Sequence, residues 1–148
     1  MKISSIHDLE KISNKIKKKL TPGDVIFLYG EIGVGKTTFT RLLINNYEKE
    51  QNLKVSEVLS PTFNIVFEYD IKKLTIKHYD LYRLKNDRDI KNIGLFEDLE
   101  RTITLIEWPE LIKNKPPNRI DLFFKYSENM IERSLIIKTS GRLKIHEF

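Results

Sequence analysis

Four residues in the stretch "GEIGVGKTTFTR" (30–41), namely Gly30, Gly35, Lys36 and Thr37, have the types and spacing needed to hold a polyphosphate. Glycines let the backbone bend and bring N–H groups against phosphate oxygens. A helix that starts there directs the positive end of its dipole to the same place. Lys36 sets a cation on the β- and γ-phosphates. Thr37 supplies a hydroxyl ligand to Mg²⁺, an ion that keeps most of its waters. The candidate nucleotide-binding segment is therefore Gly30, Glu31, Ile32, Gly33, Val34, Gly35, Lys36, Thr37 and Thr38. Composition alone yields such a pattern by chance in roughly three chains in a thousand.

A phosphate loop does not define a reaction. The remaining chemistry must come from acids and hydroxyls further along. Asp80 follows "LTIKHY" and Glu107 follows "TITLI", so each ends an apolar, strand-like run. Such an acid holds a metal-bound water or orients the attacking one. The run before Glu107 is the more apolar, which makes it the better match to a Mg²⁺-side acid. The plain alternative is that either acid caps a strand end or pairs with a cation such as Arg83. Thr62, in "SPTF" (60–63), follows a stiffening Pro61 and has the place of a switch threonine that meets γ-phosphate or Mg²⁺. Trp108, the single tryptophan, adjoins Glu107, where it fits a core or rim position, a shield over the site or a contact with a partner.

These residues need elements to position them. "VIFLY" (Val25–Tyr29) reads as a strand buried on both faces. Residues 36–49 then read as a helix with Phe39, Leu42 and Leu43 inward. "NIVFEYD" and "LTIKHYD", joined by residues 70–73, form a hairpin signal that makes the sheet mixed. Residues 87–100 are helical in pieces, broken near Gly94. Pro109 opens a short helix, ended by Pro116 and Pro117. "RIDLFFKY" and "RSLIIKT" form a closing strand pair. Upstream, Ile6, Leu9, Ile12, Ile16 and Leu20 recur at helical spacing behind a Ser5–Asp8 capping box. The fold class is α/β: a single P-loop NTPase-like domain over 1–148, with a mixed parallel and antiparallel central sheet flanked by helices.

The bulk composition narrows the function classes. The chain has 148 residues, 40% apolar and 32% charged, which is globular. It has no cysteine, so disulfides, thiolate metal sites and cysteine nucleophiles are excluded. His7, His78 and His146 lie far apart, without zinc-ligand spacing. The opening residues carry charge before any apolar run builds, and no stretch approaches the roughly 20 apolar residues of a membrane span. A cytoplasmic protein is expected. The net charge is +5, but the chain is rich in Lys, Ile and Asn throughout. The run 15–19, "KIKKK", reads as a solvated last turn of a helix rather than a nucleic-acid surface.

Taken in order, "GEIGVGKTTFTR", "SPTF", "HYDLYRL" (78–84) and "IEWPE" (106–110) resemble the TsaE (YjeE) family, with a weaker match at "IGLFEDL" (93–99). Ile32 and Val34 stand where the family usually has Leu and Ala, and they keep the apolar character. The resemblance implies a Mg²⁺-dependent P-loop ATPase that supports threonylcarbamoylation of the tRNA adenosine beside the anticodon. It also implies action with TsaD and TsaB, tRNA being met indirectly through that complex. Carried over by position, Lys36 and Thr37 are the phosphate and Mg²⁺ ligands and Glu107 is the second metal-side acid. Asp80 is the aspartate associated with hydrolysis, and Thr62 is the switch threonine. Tyr82, Arg83 and Trp108 lie in family motifs that face a partner in part. Sequence leaves open whether Asp80 or Glu107 orients water.

Two other readings compete. A small-molecule or nucleotide kinase needs a lid with arginines over the transferred phosphate. The arginines here are scattered, without a paired segment. An ATP-dependent interaction switch with little hydrolysis of its own shares the "SPTF" argument.

Overall fold

Val25, Ile26, Phe27 and Leu28 are wholly excluded from solvent, because their strand lies at the centre of the sheet with both faces covered. The computed structural model describes residues 1–144; His146 lies outside the described residues. In chain order the elements are β1 (Lys2–Ile3), α1 (Ile6–Lys17), β2 (Val25–Tyr29), α2 (Lys36–Glu50), β3 (Val66–Ile71), β4 (Leu74–Asp80), α3 (Asp87–Asn92), β5 (Thr102–Glu107), β6 (Arg119–Tyr126) and β7 (Arg133–Ser140). Short 3₁₀ turns occupy Leu99–Arg101 and Pro109–Leu111.

The strands form one sheet in the order β1-β7-β6-β2-β5-β4-β3. β2 is parallel to both of its neighbours, β5 and β6, and β4 is parallel to β5. β3 with β4, β6 with β7 and β1 with β7 are antiparallel. The mixed α/β sheet expected from the alternation of apolar runs is therefore present.

Side-chain alternation divides the core in two. On one face Ile26, Leu28, Leu105 and Leu122 pack against Phe39, Leu43 and Ile44 of α2 and Leu9 and Ile16 of α1. On the other, Val25, Phe27, Tyr79 and Ile106 are covered by Leu81, Leu95 and Ile112. Each such side chain contributes about 1.5–3 kcal/mol by leaving water. That is what fixes the register of the parallel strands, since a one-residue slip would turn the whole set outward.

Local details refine the sequence reading. Ser5 caps α1: its hydroxyl accepts from the Asp8 N–H at 3.2 Å, and Asp8 accepts from the Ser5 N–H at 3.1 Å. Ile6 is exposed, because the first helical position lies before the buried stripe begins. α1 ends at Lys17, so Lys18 and Lys19 lie past it, while Leu20 is buried beyond the helix end. The turn of the β3–β4 hairpin falls at Lys72 and Lys73, with Lys72 at φ 55°. The helix opened by Pro109 closes at Leu111, well before Pro116. The two-residue strand β1 lacks a periodic signal in the sequence; it is held at the sheet edge by β7. Among the described residues no helix is long and apolar enough to cross a membrane.

Candidate functional site

Because β2, β4, β5 and β6 run parallel, their carboxyl ends meet at one rim of the sheet, where open α/β folds take ligands. β2 leads there directly into Gly30. Gly30 has φ +142°, and a Cβ on it would come within 2.7 Å of the Phe124 carbonyl and 2.8 Å of Val34 Cγ1. A side chain is excluded there on both grounds. Gly35, at φ 125°, is the N-cap of α2; it offers no side-chain cap, and the first turn holds no acid. The N–H groups of that turn thus have no acceptor within the helix. This is the arrangement that a phosphate completes.

Lys36 lies under the loop and is almost wholly buried. Its ammonium donates to the Gly30 carbonyl and, at 3.4 Å, to the Glu31 carbonyl. It also lies 3.7 Å from the centre of the Trp108 ring. Burial pulls its pKa below the usual lysine value, while the carboxylates of Glu107, Glu110 and Asp80 pull it back up. Trp108 takes that position because β5 ends in a left-handed residue: Trp108 has φ 59° and ψ 56°, and its N–H bonds the Leu28 carbonyl at 3.2 Å. Half-buried, it also packs against the core cluster of Val25, Phe27 and Ile106, so it is core on one side and covers Lys36 on the other. Tyr82 packs against it at 4.9 Å between ring centres.

Glu107 and Asp80 are partners in the β4–β5 register and both are buried. Thr37 Oγ1 stands 3.0 Å from each carboxylate oxygen of Glu107. On the other side, His78 Nε2 is 2.6 Å from Glu107 Oε2. Asp80 has a different set of partners. Its Oδ2 accepts from Ser60 Oγ at 2.6 Å and Thr62 Oγ1 at 3.0 Å, and its Oδ1 accepts from the Tyr82 N–H at 2.9 Å. Arg83 does not pair with Asp80: it donates to the Phe63 carbonyl at 3.2 Å and lies over the Phe63 ring.

The candidate catalytic and metal-side residues therefore converge. One cavity of about 250 Å³ is lined by Lys36, Thr37, Thr62, Asp80, Glu107 and Trp108, together with Ile32 and Gly33. Glu31 is an exposed residue at the loop tip, and its carbonyl accepts from the buried Val34 N–H at 3.3 Å. Thr38 faces a separate cavity of about 320 Å³ on the far side of the loop, with Ser4, Ser5 and Phe124. Three contributors were missing from the sequence reading: His78 on Glu107, and Ser60 and the Tyr82 N–H on Asp80. Period-two alternation carried a signal for His78, since residues 78 and 80 of one strand share a face.

The donor set suits Mg²⁺. One hydroxyl and one carboxylate already converge beside the phosphate loop, and Mg²⁺ is held by one or two such groups together with substrate phosphates. Among the described residues no cluster of three His, Asp or Glu side chains forms a self-sufficient metal cage.

Comparison with known proteins gives the same grouping. The family model described as "Threonylcarbamoyl adenosine biosynthesis protein TsaE" matches residues 3–135. Proteins named tRNA threonylcarbamoyladenosine biosynthesis protein TsaE are similar along much of the chain. The Rickettsia felis protein is 37% identical over 112 residues, 76% of this chain and 63% of its own length. The Rickettsia prowazekii protein is 34% identical over 128 residues, 86% of each. The Bacillus subtilis protein is 35% identical over 107 residues, 70% of this chain and 63% of its own. This chain thus matches under two-thirds of the length of some relatives. The crystal structure of Bacillus subtilis YdiB superposes with a TM-score of 0.72 at 26% identity, covering 95% of this chain and 84% of that one. The matched span runs from β1 into β7 and takes in every candidate site residue, and on that basis the chain belongs to the TsaE family.

Proposed function

We propose that this chain binds ATP with Mg²⁺ and hydrolyses it in support of threonylcarbamoylation of the tRNA adenosine beside the anticodon, acting with TsaD and TsaB. The observation that carries the reading is the convergence of Thr37, Glu107 and Asp80 at the mouth of the phosphate loop. The tRNA part rests on the family and on the printed names of its relatives.

In this reading the open N–H groups of the α2 first turn and the Lys36 ammonium hold the phosphates, Lys36 exchanging its carbonyl partners for phosphate oxygens. Thr37 and Glu107 would hold the Mg²⁺, which would supply positive charge to offset that of the phosphates. Asp80 orients the attacking water. A carboxylate offers about four lone-pair sites. Ser60, Thr62 and the Tyr82 N–H use three, leaving one on Oδ1 for a water proton. The partners of the two acids support this division of labour: Glu107 faces the P-loop threonine, and Asp80 faces the "SPTF" hydroxyls.

The interaction-switch reading has support of its own in the Thr62–Asp80 bond. A loop that pairs with the hydrolytic acid is suited to respond when triphosphate offers Thr62 another partner. Both readings hold together if hydrolysis is weak in the isolated cytoplasmic chain and rises with partners. The test is tRNA modification reconstituted from TsaD and TsaB with and without this chain. Modification should stall early without it. Sustained turnover in its absence contradicts the role.

A further inference from the structure

We propose that His78 is a positioning residue for the metal-side carboxylate: its Nε2–H holds Glu107 against Thr37 in the orientation that Mg²⁺ binding requires. The proposal rests on the reading of Thr37 and Glu107 as the Mg²⁺ side of the site.

His78 is wholly buried on β4, opposite Leu105 of β5. Glu107 lies two residues beyond Leu105 on the same face, within diagonal reach of a ring. The Nε2–Oε2 separation of 2.6 Å marks a short, charge-assisted bond. An ionised carboxylate only accepts, so Nε2 carries the proton. The other ring nitrogen, Nδ1, is buried and has no hydrogen-bond partner among the described residues. A buried polar atom without a partner costs stability, and an apolar side chain would fill the same volume without that cost. Packing therefore does not account for a histidine here, whereas its bond to Glu107 does.

The bond also has a consequence at the site. Thr37 Oγ1 is equidistant from both oxygens of Glu107 and so does not distinguish one oxygen from the other. His78 contacts Oε2 alone, so it distinguishes the two oxygens: Oε2 is shared by His78 and Thr37, and Oε1 meets Thr37 only. Outer partners of this kind typically change metal affinity by about 10- to 100-fold when removed.

The test compares ATP binding by calorimetry with Mg²⁺ and with EDTA in the wild type, His78→Leu, His78→Gln and Glu107→Gln. His78→Leu should leave the EDTA affinity within about twofold and weaken the Mg²⁺-dependent gain by about 10- to 100-fold. His78→Gln, which keeps an N–H donor of similar reach, should restore most of that gain. Unchanged Mg²⁺ dependence in His78→Leu, or equal weakening with and without Mg²⁺, overturns the proposal. If Glu107→Gln also keeps full Mg²⁺ dependence, the metal-side reading of Glu107 fails first. A second measurement needs no histidine variant. In the nucleotide-free chain, ¹⁵N-histidine NMR should give His78 as the Nε2–H tautomer with a downfield, slowly exchanging ring proton that moves upfield in Glu107→Gln. A rapidly exchanging ring proton in the wild type contradicts the assignment.

Discussion

Asp80 and Glu107 stand opposite each other in the β4–β5 register, yet their carboxylates have separate partners. Glu107 is held by Thr37 and His78, and Asp80 by Ser60, Thr62 and the Tyr82 N–H. Two adjacent acids thus have two distinct environments, in line with the two roles proposed for them.

In the proposed mechanism the hydroxyls on Asp80 set its aim. Replacing both, Ser60→Ala with Thr62→Ala, should lower the hydrolysis rate by about 100-fold, the scale of a misplaced catalytic group. Nucleotide affinity should fall far less than the rate, because the phosphate loop and Lys36, which hold the phosphates, are untouched. Single-turnover hydrolysis and calorimetry on the same samples check both halves.

Gly30 tolerates no side chain. In Gly30→Ala the new Cβ meets backbone at 2.7 Å in a conformation foreign to L-residues. The expected result is a loss of about 1–3 kcal/mol of stability together with loss of nucleotide binding. Chemical denaturation and nucleotide titration measure the two effects separately.

Trp108 reports on the site without labelling. It is the chain's single tryptophan and lies over the Lys36 ammonium. Phosphate binding draws that ammonium toward a new partner, so ATP should change the intrinsic fluorescence, and Lys36→Ala should abolish the change. An identical response in Lys36→Ala contradicts the geometry.

Away from the site, Arg142 donates to the buried Asp24, which also accepts from the Thr21 N–H at 2.8 Å. Burial raises the Asp24 pKa, while the Thr21 N–H and Arg142 oppose that rise. Arg142→Ala removes one opposing group, so the folded pKa climbs further above the unfolded value of 3.8. A carboxyl whose pKa is higher in the folded state makes folding less favourable as pH rises through that window. The variant should therefore lose about 1–3 kcal/mol at neutral pH. The deficit should shrink as pH falls through the raised Asp24 pKa. Urea unfolding at pH 7 and pH 4 measures it.

Much of this was legible in the sequence because it rests on local signals. The β2 and β4 boundaries follow from an unbroken apolar run and from alternation, and α2 follows from the loop glycine and its buried stripe. Asp80 and Glu107 were identifiable as strand-ending acids. Their separate partners were not, because these depend on the parallel β4–β5 register and on a loop crossing from residue 60, both long-range. His78 was visible as a dispersed histidine and as the first residue of "HYDLYRL", but nothing local linked it to Glu107 until the pairing of the strands brought them together. β1 is set by an edge contact with a strand over 130 residues later and has no local pattern of its own.

The central claim is that Asp80 serves hydrolysis and not binding. The direct measurement is Mg²⁺-dependent ATP hydrolysis by Asp80→Asn at saturating nucleotide, with ATP affinity measured alongside. The account predicts turnover reduced by about 10²- to 10⁴-fold, the usual worth of a positioned acid–base group, with affinity within a few-fold of wild type. Wild-type turnover in Asp80→Asn, or a loss explained entirely by weaker ATP binding, contradicts it.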